Sequence, residues 1–233
     1  AEEVRSWRAD AFFTEPGALH SYASRGYWLV GYLIEQLAGR PYADAMDSLL
    51  FAPLGMTRST LRPLVAMTYP LAVGHMAADG STVVARPAAN NAATWPGGSV
   101  FSNVYDLARF AAAFMAPADT AGLPAFVSER MAYPHAAVPG SDGDHYGYGL
   151  SMGTYDGVRF VYHGGVSRGY GALVQMAPAH GFAVVALTNR HAALLWQTAQ
   201  KAAALALPLV PDPPADAAAP EAPAVADVTA GAI

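Results

Sequence analysis

The stretch YHGGVSRGYG, Tyr162 to Gly171, places Ser167 inside Gly165-Val166-Ser167-Arg168-Gly169. That is the G-x-S-x-G spacing of a nucleophile elbow, where a serine sits on a sharp strand-to-helix turn and an acid and a histidine complete a triad. The surrounding chain argues against that chemistry. The residues that follow, YGALVQMAP, have a β-prone centre, glycines at 169 and 171 and Pro178 soon after, so no helix is expected there. The elbow order is serine, acid, histidine, yet no Asp or Glu stands between Ser167 and either His180 or His191. A strand-connecting turn, with glycine supplying positive φ, accounts for the same residues.

Other chemistries find less support. The chain has no cysteine, which removes thiolate nucleophiles, thiolate metal sites and disulfides together. His20, His75, His135, His145, His180 and His191 show no H-E-x-x-H or comparable spacing and read as surface or loop residues, so no metal or cofactor is implied. The acids are few and scattered, without the paired carboxylates of glycosidase chemistry. The net charge is −5, and Asp212, Asp216, Glu221 and Asp227 all lie in residues 211–233, which leaves the body near −1. A body so close to neutral offers no basic face for nucleic acid. No apolar run reaches membrane-spanning length, since the best candidate, Tyr27 to Leu37, is interrupted by Glu35.

The elements that must position any site come next. With 53% hydrophobic and 13% charged residues over 233 positions, the chain can bury a sizeable core. A loop over Glu15–Gly26 precedes a helix from about Tyr27 to Ala38, with Trp28, Leu29, Tyr32, Leu33 and Leu37 on helical spacing and Gly39 as the stop. A second helix is expected over Tyr42–Phe51, closed by APLGM, and residues 57–100 read as mostly irregular. Asn103 and Asp106 have capping-box spacing before a helix with Leu107, Phe110, Ala111 and Phe114 as its buried stripe. From Tyr146 short β-prone runs separated by DG, GVSRG and AHG read as an antiparallel meander. A helix over about Ala192–Leu207 follows, and residues 208–233, rich in Pro and Ala, acidic and without aromatics, read as a disordered tail. The expected fold is α+β: a helical, loop-rich part over 1–145 packed beside antiparallel strands and a C-terminal helix over 146–207.

Four stretches, taken in order, resemble the serine β-lactamase-like superfamily of class C β-lactamases, D-Ala-D-Ala carboxypeptidases and related esterases. They are EPGALHSYASRGYWLVGYLIEQLAG, FAPLGM, GGSVFSNVYDLARF, and YGYGLSMG with YHGGVSRGYGALVQMAP and FAVVALTN. The resemblance implies a helical subdomain beside an antiparallel sheet, with the active site between them. It implies three motifs: Ser-x-x-Lys, Tyr-x-Asn, and Lys-Thr-Gly or its His-x-Gly variant. The first does not occur here. The only lysine, Lys201, has Thr198 at the matching offset and lies in the expected C-terminal helix, while only twenty-one residues precede Tyr22. The expectation is an N-terminally incomplete chain, the alternative a relative without catalysis.

On this resemblance Tyr22 is the family tyrosine. A phenol is a poor base near neutral pH, and a neighbouring lysine would favour phenolate, able to exchange a proton with serine and leaving group. Ser24 stands where the family has Asn and either contacts substrate or caps the following helix. His163 stands where class C enzymes have lysine. Being mostly neutral, it suits orienting the tyrosine more than anchoring a carboxylate, which leans toward ester or peptide substrates over β-lactams. Gly164 and Gly165 either admit substrate close to the strand or mark a bulge or turn. The family places an oxyanion donor on the amide after this motif, here Val166. Trp95, Phe101 and Tyr105 read as core residues, or as lining for an acyl pocket.

Three functions stay open: an acyl-enzyme hydrolase of an ester, D-amino-acid peptide or β-lactam whose serine lies upstream, an inactive peptidoglycan-peptide binding module, or an elbow esterase using Ser167. The partner implied is a small-molecule or peptide acyl substrate, with no nucleic acid and no membrane span. The family favours an extracytoplasmic setting. The family's N-terminal strands are not in this sequence, so a sheet edge should be left unpaired.

Overall fold

The computed structural model describes residues 5–8, 14–15, 17–85, 90–117, 123–191 and 195–210. Helix α1, Ser24–Ala38, stops at Gly39, whose φ of 62° is the left-handed C-terminal cap expected of that glycine. Helix α2, Tyr42–Met46, begins after Pro41 and widens into a π-turn over Asp47–Phe51, where the N–H of Ala52 reaches the carbonyl of Asp47 at 2.8 Å. A short helix, α3, covers Pro63–Ala66.

The described residues between 57 and 100 are more ordered than their composition suggests. Strands β1, His75–Ala78, and β2, Ser81–Val84, form a hairpin over Asp79-Gly80. Both turn residues have positive φ, 48° and 75°, as a two-residue hairpin turn demands. The Asp-Gly pair was the available signal. A 3-10 turn follows over Ala92–Gly97, its first amides capped by Asn91, whose Oδ1 accepts the N–H of Ala93 at 3.0 Å.

Helix α4, Val104–Met115, is capped by Asn103, whose Oδ1 accepts the N–H of Asp106 at 2.9 Å. The reciprocal half of a capping box is not made by Asp106. Its carboxylate, 1% exposed, instead accepts the N–H of Arg58 at 2.8 Å, the hydroxyl of Ser59 at 2.9 Å and Nη1 of Arg109 at 3.0 Å. A shorter side chain than Glu cannot reach back to the cap, and the loop after FAPLGM uses the carboxylate as its anchor. Helix α5 covers Ala125–Met131.

The main sheet contains β3 (Ala136–Ala137), β4 (His145–Tyr146), β5 (Ser151–Tyr155), β6 (Val158–Ser167), β7 (Tyr170–Ala177) and β8 (Phe182–Thr188), ordered β3-β4-β5-β6-β7-β8 and antiparallel throughout. Helix α6, Leu195–Ala206, closes the described chain, which stays docked as far as Val210, whose N–H donates to the carbonyl of Asp156 at 2.9 Å. The rest of the expected tail, 211–233, and the expected helix start at 192–194 lie outside the described residues.

Strand alternation sorts the core into two layers. Val161 and its partner Met176 face α4, packing with Leu150, Met152, Ala111 and Phe114. Val158, Phe160 and Ala177 face the opposite side and meet Ala203 of α6. The sheet is thus held between α4 and α6, and each fully buried large side chain contributes about 1.5–3 kcal/mol. Helix α1 packs elsewhere, against the 3-10 turn. Gly31 is its one buried residue, and a Cβ there would collide with the ring of Pro96. The apolar residues on helical spacing in α1 are covered only in part: Leu33 and Leu37 are 48% and 88% exposed. Tyr105 is likewise on the surface, while Trp95 and Phe101 are half-buried.

Candidate active site

Two distant parts of the chain converge at the start of α1. Tyr22 lies just before that helix, and His163 lies midway along β6, just past the point where β5 ends at Ser151 opposite Tyr162. Their ring centroids are 6.2 Å apart. Tyr146, from β4, completes the group. Its ring is 6.0 Å from that of Tyr22 at 87° and 6.0 Å from that of His163, and its hydroxyl is 3.1 Å from Nε2 of His163. His20 packs on Tyr146 with centroids 5.4 Å apart. Tyr27, on the first turn of α1, brings its hydroxyl beside Gly149, where a Cβ would stand 3.4 Å from it.

Burial sets the electrostatics. It lowers the pKa of His163, outweighing a backbone hydrogen bond at Gly164 that acts the other way, so the imidazole is neutral near pH 7. Burial likewise pushes the Tyr146 and Tyr27 phenols up, and charge on Tyr22 would raise both further. Tyr146 and Tyr27 therefore stay protonated near neutral pH. Tyr22 is the most open of the three, 60% exposed.

The strand beyond His163 presents its backbone to the same side. The turns Asp156-Gly157 and Arg168-Gly169 make Tyr155–Val158 and Ser167–Tyr170 the closing pairs of two hairpins. Hydrogen bonding alternates from there, so residues 163, 165 and 167 bond β7 while 164 and 166 point toward β5. With β5 ended, the N–H of Val166 faces an open edge. Gly165 has nothing within 4 Å of where its Cβ would stand, and Gly164 meets only ordinary contacts at 3.6 Å. Neither glycine has positive φ, so an open face distinguishes them here rather than a turn or bulge.

Ser24 is the first residue of α1 and makes no cap hydrogen bond, so the capping alternative is not realised. Its Cβ sits 3.3 Å from where a Gly97 Cβ would be, toward the 3-10 turn. Among the described residues its side chain bonds neither Tyr22 nor His163. Ser167 ends β6 and leads through Arg168-Gly169 into β7, with Gly169 at φ 87°. A strand, not a helix, follows it, which removes the elbow reading. The carbonyl of Ser167 lies 3.0 Å from Nδ1 of His191, a backbone contact that offers no activation of its hydroxyl.

Tyr146 was not singled out from sequence. In HYGYGL it reads as one more tyrosine at a strand start, and only the register between β4 and β6 brings it to His163. Tyr27 was hidden similarly, as the first apolar-looking residue of a helix.

A helical part beside an antiparallel meander, with a tyrosine and a histidine meeting between them, defines a β-lactamase-type fold. The sequence matches the Beta-lactamase family over residues 2–207, and the chain belongs to that family. It is 28% identical over 183 residues to penicillin-binding protein 4 of Amycolatopsis lactamdurans, covering 75% of this chain and 48% of that one. It is 29% identical over 206 residues to a D-aminopeptidase of Gluconobacter oxydans, covering 85% and 37%. The octameric penicillin-binding protein homologue from Pyrococcus abyssi superposes with a TM-score of 0.75 at 26% identity, covering 83% of this chain and 44% of that one. The chain thus spans less than half the length of these relatives. No described helix is long and apolar enough to cross a membrane.

Proposed function

We propose that this chain carries the tyrosine and histidine part of an acyl-transfer site, in a serine hydrolase acting on an ester or a D-amino-acid peptide. The 6.2 Å approach of Tyr22 to His163, from opposite parts of the fold, carries the reading. The nucleophile is a serine outside these 233 residues, since the family's Ser-x-x-Lys is not in the sequence and Lys201 lies in α6. The comparison with a D-aminopeptidase supports the peptide alternative.

In the proposed cycle Tyr22 starts as the phenolate that the lysine of the upstream Ser-x-x-Lys would favour, and the serine hydroxyl gives it its proton as Oγ attacks the substrate carbonyl. The N–H of Val166, at the open edge of β6, donates to the developing oxyanion together with the serine amide, an interaction typically worth about 3–4 kcal/mol per donor in the transition state. Tyr22 returns the proton to the departing alcohol or amine; water then attacks the acyl-serine, giving a proton to Tyr22, which passes it to serine Oγ as the acyl–oxygen bond breaks and the acid leaves. Neutral His163 adds no fixed positive charge, which favours substrates without a carboxylate at that position. Gly164 and Gly165 keep the strand face clear for the substrate backbone.

A fluorophosphonate probe tests this. The 233-residue chain should not label, and the same chain extended upstream through its reading frame should. Ser167→Ala should leave that labelling intact, and Tyr22→Phe should slow it at least tenfold. An upstream frame without Ser-x-x-Lys, or an extended chain that folds but does not label, would leave a peptide-binding module instead.

A further inference from the structure

We propose that Asp144, gripped by the hydroxyls of Tyr155 and Tyr162, is a positioning residue for the candidate site: reaching over Gly153, it fixes β4 against β6 and so sets Tyr146 against His163. That Tyr146 and His163 belong to a catalytic site rests on the function proposed above, whereas the clamp and its hold on the two rings do not.

The backbone alone holds β4 lightly. The strand is two residues long and pairs with β5 only through His145↔Met152 and Tyr146↔Ser151. Continued by one residue, that ladder sets Asp144 opposite Gly153, in the row that Phe160 of β6 completes. Gly153 is the gap that lets Asp144 across. A Cβ there would collide with Oδ1 of Asp144 and stand 2.9 Å from the Tyr155 hydroxyl. Through the gap the carboxylate accepts the Tyr155 hydroxyl at 3.2 and 3.1 Å, one distance to each oxygen, and the Tyr162 hydroxyl at 3.0 Å. A carboxylate accepts and each phenol has one proton to give, so the two phenol oxygens, 3.1 Å apart, converge on a shared acceptor. Trp196 of α6 backs the pair, its ring centroid 4.9 Å from that of Tyr162 and 5.6 Å from that of Tyr155.

The clamp adjoins the site along both strands. Asp144 is two residues before Tyr146, and Tyr162 is one residue before His163. Two contacts therefore tie β4 to β6 across β5: Asp144 to Tyr162 at 3.0 Å and Tyr146 to His163 at 3.1 Å. Adjacent strand residues point to opposite faces, so the Tyr162 ring does not itself cover the imidazole. What the clamp sets is where β4 stands, and with it the Tyr146 ring, which flanks His163 together with Tyr22. Without the clamp, β4 is free to move outward and water to reach the imidazole.

The test is NMR on the 233-residue chain, with His163 signals assigned by their loss in His163→Gln. Two readouts are followed: the nuclear Overhauser contact between the Tyr146 and His163 rings, and the pH titration of His163. Tyr155→Phe with Tyr162→Phe keeps both rings against Trp196 and removes both donors. Gly153→Ala removes no hydrogen-bonding group and fills the gap. Each should weaken the ring contact several-fold and raise the His163 pKa toward its ordinary value of about 6.5, as burial of the imidazole is relieved. Asp144→Asn, which keeps a carbonyl acceptor, should fall between the native chain and Asp144→Ala. Asp106→Ala is the control for lost stability alone: it should lower the urea midpoint and leave both readouts unchanged. If the double variant does not fold, Gly153→Ala and the single Tyr162→Phe decide. The proposal is overturned if these variants fold with the ring contact and His163 titration of the native chain, or if Asp106→Ala moves both as far. No readout needs turnover, so an extended chain that folds yet fails to label with fluorophosphonate would sink the hydrolase reading alone. An unmoved His163 beside intact labelling would sink the clamp alone.

Discussion

The carboxylate of Asp106 accepts the main-chain N–H of Arg58 at 2.8 Å, and that bond ties the loop after the π-turn to the first turn of α4. Asp106 also holds Ser59, which is itself 2.7 Å from the hydroxyl of Ser102. Replacing Asp106 by Ala leaves the part-buried N–H of Arg58 without its acceptor, takes from the Ser59 hydroxyl one of its two partners, and removes a charge-assisted acceptor, each lost bond costing about 1–3 kcal/mol. Asp106→Ala should therefore destabilise by about 2–5 kcal/mol in urea unfolding. Arg109, whose side chain is 53% exposed, is one of three partners of a buried carboxylate that keeps its bonds to Arg58 and Ser59, so Arg109→Ala should cost less than Asp106→Ala, by about 1 kcal/mol or more. Equal losses in the two variants would show that the carboxylate matters as a charge and not as a backbone anchor.

Two glycines on one helix make a matched pair. Gly26 and Gly31 both lie in α1, where Ala is intrinsically better by up to about 1 kcal/mol. A Cβ on Gly26 meets nothing within 4 Å, so Gly26→Ala should stabilise by about half a kcal/mol. A Cβ on Gly31 would fall onto the ring of Pro96, at 2.7 Å from its Cβ, and a proline ring cannot rotate aside. Overpacking of about 1–3 kcal/mol then outweighs the propensity gain, and Gly31→Ala should lower the melting temperature. Stabilisation by both substitutions would mean that the 3-10 turn moves freely over α1.

These particulars mark what the sequence could and could not disclose. The strands of the meander, the stop at Gly39 and the Asn103 cap rest on local rules of alternation, left-handed glycine and side-chain capping, and local rules are legible in a chain read alone. The hairpin at Asp79-Gly80 is equally local but poorly legible, because its flanking residues, HMAA and STVV, lack a strong alternating pattern. Asp106 as an anchor and Tyr146 as a partner of His163 are different. Each depends on residues brought near by tertiary packing, with Asp106 meeting a loop some fifty residues away and Tyr146 reaching across the register of β4, β5 and β6. Tyr22 and His163 are legible only through ordered motifs that resemble a known family.

The pH dependence of stability should carry the signature of His163. Its folded pKa lies below the ordinary value of about 6.5, because burial penalises the charged ring. Above that pH the residue is neutral in both states and contributes nothing. As pH falls through 6.5 the unfolded chain takes up the proton first, so the folded state loses stability until the pH drops below the folded value. The native chain should therefore weaken between about pH 7 and pH 5 more steeply than His163→Gln, measured as the difference in urea midpoints. Parallel profiles for the two proteins would place the imidazole in contact with water.

The last expectation concerns surfaces left open. Among the described residues β8 pairs only with β7, so the outer edge of the sheet presents unsatisfied backbone groups. On α1 the neighbouring positions Val30, Leu33 and Leu37 are 46%, 48% and 88% exposed, an apolar row without cover among the described residues. A single exposed apolar residue is ordinary, but three on one helical face add to an unpaired edge. The 233-residue chain should bind the dye ANS and self-associate as its concentration rises. Leu33→Glu with Leu37→Glu should reduce dye binding several-fold without lowering stability, since neither side chain packs against the core. The idea fails if the native chain proves a monomer by sedimentation at high concentration, melts sharply and binds no dye, because the row on α1 and the edge of β8 would then be covered in solution.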